Sequence, residues 1–246
     1  MSKGRIVREQ IWEKLREVAR PDSRFHLNFA EVIPDFSGSD LATDRVVEQP
    51  FYRNSSYAFV TPDNCLVDLR RRMLEAGKSL VVSTSHINRG FYLLEPAMVP
   101  TGQELCAAWL DGMEHFGRPI SLGEIADRGR FDFMVTGASA VSLDGIRFGK
   151  GHDLFDLEWG MFTEIGIVDE ATPTVALVHD VQVVAEKMSP SAMDILVDAI
   201  ATPTRYIPVR HGRRPRGIMW EMLEPEQIRD TPPLLELQRL RGDYLA

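Results

Sequence analysis

Arg147, Gly149, Lys150 and Gly151 fall within one short segment, and Asp156 follows five residues later. Glycines at two of these positions let backbone N–H groups approach an anion closely and permit positive φ, while the guanidinium and ammonium add charge. Asp156 is of the type that holds a hard divalent cation, or an acid favoured by the start of a helix. The chemistry this predicts is phosphate binding. The segment is neither a Walker A loop nor a G-x-G-x-x-G turn, because the spacing of Gly and Lys differs from both.

Other residues offer further chemistry. His179-Asp180 directly follows an apolar run that reads as a buried strand, where α/β proteins place ligand-binding residues, so His179 is a candidate for substrate contact or acid–base work as well as for a structural strand end. Asp156 and Glu158 sit close together without a histidine at metal-ligand spacing, which argues against zinc. No Gly-x-Ser-x-Gly elbow is present, and neither Cys65 nor Cys106 carries a nucleophile's local signature. Phe148, Phe155 and Trp159 flank the glycine-rich segment and can line a pocket for an adenine or pterin ring.

The elements that must position these groups alternate. Helical spacing is read over 5–19, 40–47, 63–76, 105–116, 154–165 and 192–200. Strands are read at 57–60, 80–82, 92–94, 131–141, 174–178 and 205–208. The glycine-rich segment then connects the apolar strand 131–141 to the following helix. Continuous apolar runs alternating with helices predict an α/β fold with a mostly parallel sheet covered by helices on both faces. With no low-complexity linker, residues 1–246 are read as one domain, with 208–246 as a loop and docking tail.

Composition is that of a globular protein: 246 residues, 44% hydrophobic and 26% charged. The net charge of -8 argues against general nucleic-acid or anionic-membrane binding. The basic run from Arg210 to Arg216 lacks interleaved aromatics and reads as a solvated loop. Two cysteines cannot build a disulfide framework, and no apolar run is long enough to span a bilayer. A cytoplasmic protein, monomeric or homodimeric, is expected.

Several segments in shared order resemble the 5-formyltetrahydrofolate cyclo-ligase (methenyltetrahydrofolate synthetase) family. They are Arg8-Glu9-Gln10-Ile11-Trp12, Gly77-Lys78, and Arg147-Phe148-Gly149-Lys150-Gly151 with Phe155-Asp156. Resemblance to a paralogous branch is closer, through Pro62-Asp63, Gly90 to Leu94, Asp156 to Trp159, Val178 to Gln182 and Thr202 to Arg205. The resemblance implies a sugar-phosphate isomerase/CoA-transferase-like α/β fold, with Mg-ATP and a reduced folate as substrates. The implied reaction converts 5-formyltetrahydrofolate to 5,10-methenyltetrahydrofolate with release of ADP and phosphate. By the same resemblance Arg8, Arg147, Gly149, Lys150, Gly151 and His152 would bind ATP, with Lys150 and Arg147 supporting phosphoryl transfer. Asp156 would support magnesium, and Asp63 would face the substrate, joining Phe155 and His179, which their own positions make candidates for substrate contact. The chain departs from the family pattern at His152, Asp153 and Leu157, and carries Asp63 where a Glu is usual. These departures keep open a thiamin-related or other heterocyclic substrate, and a nucleotide-binding protein without turnover.

Overall fold

The computed structural model describes residues 3–150, 154–185 and 189–244. Its strands are β1 (Tyr57–Val60), β2 (Ser79–Ser83), β3 (Phe91–Leu94), β4 (Arg118–Ile120), β5 (Met134–Thr136), β6 (Ala140–Ser142), β7 (Arg147–Phe148), β8 (Thr174–Leu177), β9 (Val183–Val184), β10 (Ala199–Ala201) and β11 (Tyr206–Pro208). The helices are α1 (Lys3–Leu15), α2 (Ser39–Val47), α3 (Pro50–Arg53), α4 (Val67–Glu75), α5 (Glu104–Ala108), α6 (Leu110–Phe116), α7 (Leu122–Arg128), α8 (Leu154–Glu164), α9 (Pro225–Arg229) and α10 (Pro232–Tyr244).

Eight strands form the central sheet in the order β11-β10-β8-β5-β1-β2-β3-β4. The five strands from β10 to β2 are parallel, and the edges are closed by antiparallel β11, β3 and β4. Side chains alternate across it, as the two-residue period of a strand requires. Ala58 and Val60 join one core with Leu66, Leu69 and Met73, while Tyr57 and Phe59 join the other with Phe155, Trp159 and Phe162. Helices therefore cover both faces, as predicted. A second sheet, β7-β6-β9, packs against α1 through Val7, Ile11, Ala140 and Phe148.

Helix α8 is buried nearly all round, from Phe155 to Phe162. Phe59 meets Phe162 at 4.9 Å between ring centroids, and Phe91 meets Phe162 at 5.3 Å, which fixes the helix on the sheet. Such aromatic pairs contribute about 0.5–1.5 kcal/mol each beyond their area. The Trp159 indole N–H adds a bond to the Pro215 carbonyl at 2.9 Å. Rigid docking of α8 sets the position of every polar group it carries.

Four expectations are corrected. The apolar run 131–141 is two strands in two sheets, because the chain turns away at Gly137 after β5 and re-enters pairing as β6. The glycine-rich segment thus follows a hairpin of the small sheet rather than the central strand. Residues 105–116 are two helices, broken where Trp109 is extended at φ −76, ψ 152. Residues 192–198 are not helical: the Asp194 carboxylate accepts the Ser191 N–H at 2.7 Å, and 199–201 becomes β10 because β8 and β11 offer it partners on both sides. The first helix ends at Leu15 rather than running to 19. The tail holds α9 and α10, whose Leu234 and Leu237 are buried in the core beside α7.

Candidate functional site

In the central sheet the chain leaves β1 toward β2 on one side and later returns to β5 on the other. Loops diverge at such a switch point and leave a crevice beyond the carboxyl ends of the strands. A cleft lies there. Thr61, Pro62 and Asp63 come from the end of β1, Ser83 to His86 from the end of β2, and Arg147, Gly149, Lys150, Phe155 and Glu158 from β7, its following turn and α8. Arg24 and Glu31 close the rim.

The β1 and β5 loops are stitched together through Asp63. Its Oδ2 accepts the Gly137 backbone N–H at 2.9 Å and the Thr61 hydroxyl at 2.5 Å. The side chain makes no helix-capping bond to the 3-10 turn that follows. A Cβ on Gly137 would stand 2.9 Å from Asp63 Oδ2, Cys65 Sγ and Ile33 Cγ2, so only glycine allows this approach. From beneath, the fully buried Arg70 donates to the carbonyls of Thr61 at 2.6 Å, Asp63 at 3.1 Å and Ala108 at 2.9 Å. Burial lowers its pKa to about 10, and the neighbouring Asp63 opposes that fall.

Arg147 reaches back from the small sheet to the same junction. Its Nε donates to Thr136 Oγ1 at 3.0 Å and to the Gly137 carbonyl at 2.9 Å, and its guanidinium lies 5.2 Å from the Phe155 ring centroid. Its Nη1 is buried without a hydrogen-bond partner. Gly149 is not at positive φ; a Cβ there would meet Nη1 at 3.2 Å, so glycine makes room for the guanidinium. Lys150 donates to the Glu31 carbonyl at 2.9 Å. Burial holds its pKa below the ordinary value, with Asp63 and Glu31 acting in the opposite direction.

Glu158 lies in the cleft wall at 2% exposure, and its Oε2 has no hydrogen-bond partner. Burial pushes its pKa up to about 8, against the Ser83 hydroxyl bond and the charge of Arg147; Asp63 and Asp156 add to the rise. The wall beside Ser83 is strained: His86 and Ile87 hold φ 54 and 59, which is rare for any side chain and most unusual for a β-branched one. Such backbone costs about 1–3 kcal/mol per residue and gathers at ligand sites. Thr84 holds this turn, accepting the Arg89 N–H and donating to the Gly90 carbonyl, each at 3.1 Å.

Of the residues predicted from the sequence, Asp63, Arg147, Gly149, Lys150 and Phe155 meet in this cleft. Gly151 and His152, and the departure Asp153, lie outside the described residues. Arg8 is half-buried on α1 and does not line the cleft. His179 caps a 3-10 turn, its Nδ1 accepting the Val181 N–H at 3.2 Å, and its ring packs edge-on against Phe36. Asp156 turns to the other side of α8, where Oδ1 accepts the Ile195 N–H at 2.8 Å, and it lines a separate small pocket with Met193 and Pro215. Asp156 therefore does not line the cleft with Asp63, Arg147 and Lys150, and among the described residues no group of three His, Cys, Asp or Glu side chains could hold a metal. Cys65 is buried and its thiol pKa is pushed up by burial, which suits packing rather than nucleophilic attack.

Sequence reasoning missed Ser83 to His86, Arg70 and Gly137, and assigned Glu158 no role. The polar run Ser83-Thr84-Ser85 at the end of an apolar strand was the available signal. Arg70 gave none, since a basic residue in an amphipathic helix is ordinarily solvated.

Fold and site together define an α/β protein with a mixed-charge ligand cleft at a topological switch point. The profile of the 5-formyltetrahydrofolate cyclo-ligase family matches residues 1–203, and the chain belongs to that family. Curated relatives include the methenyltetrahydrofolate synthase domain-containing proteins of Homo sapiens, 34% identical over 94% of this chain, and of Danio rerio, 32% identical over 96%. The chain spans only 60% and 62% of those two relatives' own lengths. The solved structure of Aquifex aeolicus 5,10-methenyltetrahydrofolate synthetase covers 89% of this chain and 99% of its own, with TM-score 0.51 at 18% identity, and shows the shared fold. Among the described residues no helix is long and apolar enough to cross a membrane.

Proposed function

We propose that the cleft binds ATP beside a reduced folate and closes the N5-formyl group onto N10. The observation that carries this reading is the convergence of Arg147, Gly149 and Lys150 with Asp63 in one crevice at the strand ends of a cyclo-ligase family fold. In the proposed reaction the formyl oxygen attacks the γ-phosphorus and ADP leaves. N10 then attacks the activated carbon and gives up its proton, and cleavage of the C–O bond releases inorganic phosphate, which carries that proton away, to give the 5,10-methenyl product. Lys150 and Arg147 offset the negative charge that moves between the phosphate oxygens. Phe155 provides an apolar wall, and the rigid Asp63–Gly137 junction orients the folate side of the cleft. Because Asp156 faces away, no step is assigned to a protein-held magnesium; a metal would arrive on the nucleotide phosphates.

A second reading is favoured by one observation: the carboxylate of Asp63 is engaged by Gly137 and Thr61, while Glu158 supplies the buried carboxyl of the cleft. The site is then tuned to another heterocycle, a thiamin-related one included, with the phosphate side retained. Phosphate release and methenyl absorbance, measured with 5-formyltetrahydrofolate and Mg-ATP, test the two. Turnover is expected on the first reading. Mg-ATP binding without methenyl product overturns it in favour of the second, or of a nucleotide-binding protein without turnover. A cytoplasmic location and a monomeric or homodimeric state accompany the proposal.

A further inference from the structure

A glycine sits in the middle of α8, where it weakens a helix relative to alanine. The chain running past it explains the choice. A Cβ on Gly160 would stand 2.5 Å from Ile218 Cδ1 and 2.9 Å from the Gly217 carbonyl oxygen, so residues 215–220 lie flush on the helix as a strap. Three further side chains of α8 hold that strap. The Trp159 indole N–H donates to the Pro215 carbonyl at 2.9 Å, and Thr163 Oγ1 accepts the Gly217 N–H at 2.8 Å. Glu164 Oε1 accepts the Ile218 N–H at 2.8 Å and the Trp220 indole N–H at 3.2 Å. Positions 159, 160, 163 and 164 share one helix face, because steps of three and four residues return to the same side. Both ends of the strap are anchored. At its start the buried Arg214 lies 4.8 Å from the Trp159 ring centroid, donates to the carbonyls of Leu196 at 2.8 Å and Thr172 at 3.3 Å, and pairs with Asp198. At its finish Arg241 of α10 lies 5.4 Å from the Trp220 ring centroid and 3.6 Å from Glu164. Helix α8 is thus gripped between this strap and the sheet, where Phe162 meets Phe59. The first turns of the same helix carry Phe155 and Glu158 into the cleft wall.

We infer that the strap positions the cleft wall, with Gly160 and Thr163 as its positioning residues: by seating α8 against the sheet it keeps Phe155 in place and Glu158 out of water. Strap and positioning residues alike do not line the cleft, and the strap lies past the last residue of the family match. Backbone hydrogen bonds make neighbouring helical turns move together, so a shift at 160–164 is passed on to 155 and 158. The inference requires neither ATP nor a folate as ligand, and it stands or falls apart from the proposed reaction.

Glu158 supplies the readout. It faces Ser83, Arg147, Asp63 and Asp156, and its burial makes wild-type stability fall as pH rises from about 4.5 to about 8. Water admitted beside it removes part of that fall. Urea unfolding at pH 5 and pH 8 compares wild type with three variants. Gly160→Ala presses on the strap, and Thr163→Val keeps the shape but deletes the acceptor for the Gly217 N–H. Val46→Ala truncates the core on the other face of the sheet and serves as the control. Both strap variants are expected to lose more stability at pH 5 than at pH 8, and the control to lose equally at both. Equal loss at the two pH values in Thr163→Val, or no loss in either strap variant, overturns the inference and leaves the strap a mere brace. Where Gly160→Ala does not fold, Thr163→Val decides alone. Amide hydrogen exchange over residues 154–158 gives a second reading, expected to quicken by about tenfold or more in Thr163→Val and to hold in Val46→Ala. Unchanged protection in Thr163→Val overturns the inference whatever the pH profile.

Discussion

Asp63 and Gly137, 74 residues apart, are joined by one hydrogen bond: the Asp63 carboxylate accepts the Gly137 backbone N–H at 2.9 Å. That bond links the loop after β1 to the loop after β5 across the switch point of the sheet. Arg147 is hung from the same junction, because its Nε bonds the Gly137 carbonyl from the opposite direction.

Gly137→Ala should therefore destabilise by about 1–3 kcal/mol, since the new methyl would press on Asp63, Cys65 and Ile33 at once. Denaturant unfolding measures the loss. Mg-ATP stabilisation should also fall, because the shift of Gly137 is passed to Arg147. A neutral substitution would show that the loop relaxes freely and that the junction is not rigid.

Arg147→Ala and Lys150→Ala should differ. Mg-ATP at about a hundredfold excess over its dissociation constant should stabilise wild type by about 2.7 kcal/mol. Both variants are expected to lose most of that gain. Only Arg147→Ala should also lower the stability of the unliganded protein, by about 1–3 kcal/mol, because Thr136 and Gly137 lose their shared donor. Thermal unfolding with and without nucleotide reads both effects.

Asp156→Asn retains an oxygen for the Ile195 N–H and removes only charge. Nucleotide binding should change by the same small factor with and without magnesium. Calorimetric titration checks this, and a loss confined to the magnesium-containing titration would place Asp156 at the metal after all.

Glu158 makes stability depend on pH. Its pKa is raised from 4.5 to about 8 in the folded protein, so between those values the unfolded chain has released a proton that the folded chain retains. The unfolded state binds fewer protons there, and stability falls as pH rises from about 4.5 to 8, by an amount on the order of a few kcal/mol. Above pH 8 this contribution is exhausted. Glu158→Gln should remove that part of the slope, measured by urea unfolding across the range; a variant with the wild-type profile would mean that Glu158 is ionised in the fold.

The α/β class was legible because short apolar runs such as 57–60 and 174–178 alternate along the chain with segments of helical spacing. Arg147, Gly149 and Lys150 were legible because their grouping is local, and a local grouping survives any fold. The Ser121-x-x-Glu124 capping box was also present to be read as the start of α7, and was passed over. What the chain could not disclose alone is which segments meet. Helical spacing over 192–200 competes with sheet pairing, and pairing prevailed because β8 and β11 supply backbone partners from distant positions. Asp156 and Glu158 differ by two positions on one helix, yet a two-residue step turns a helix by more than half a turn. Packing of α8 through Phe162 on Phe59 decided that Glu158 enters the cleft and Asp156 faces Ile195, and that decision belongs to the tertiary structure.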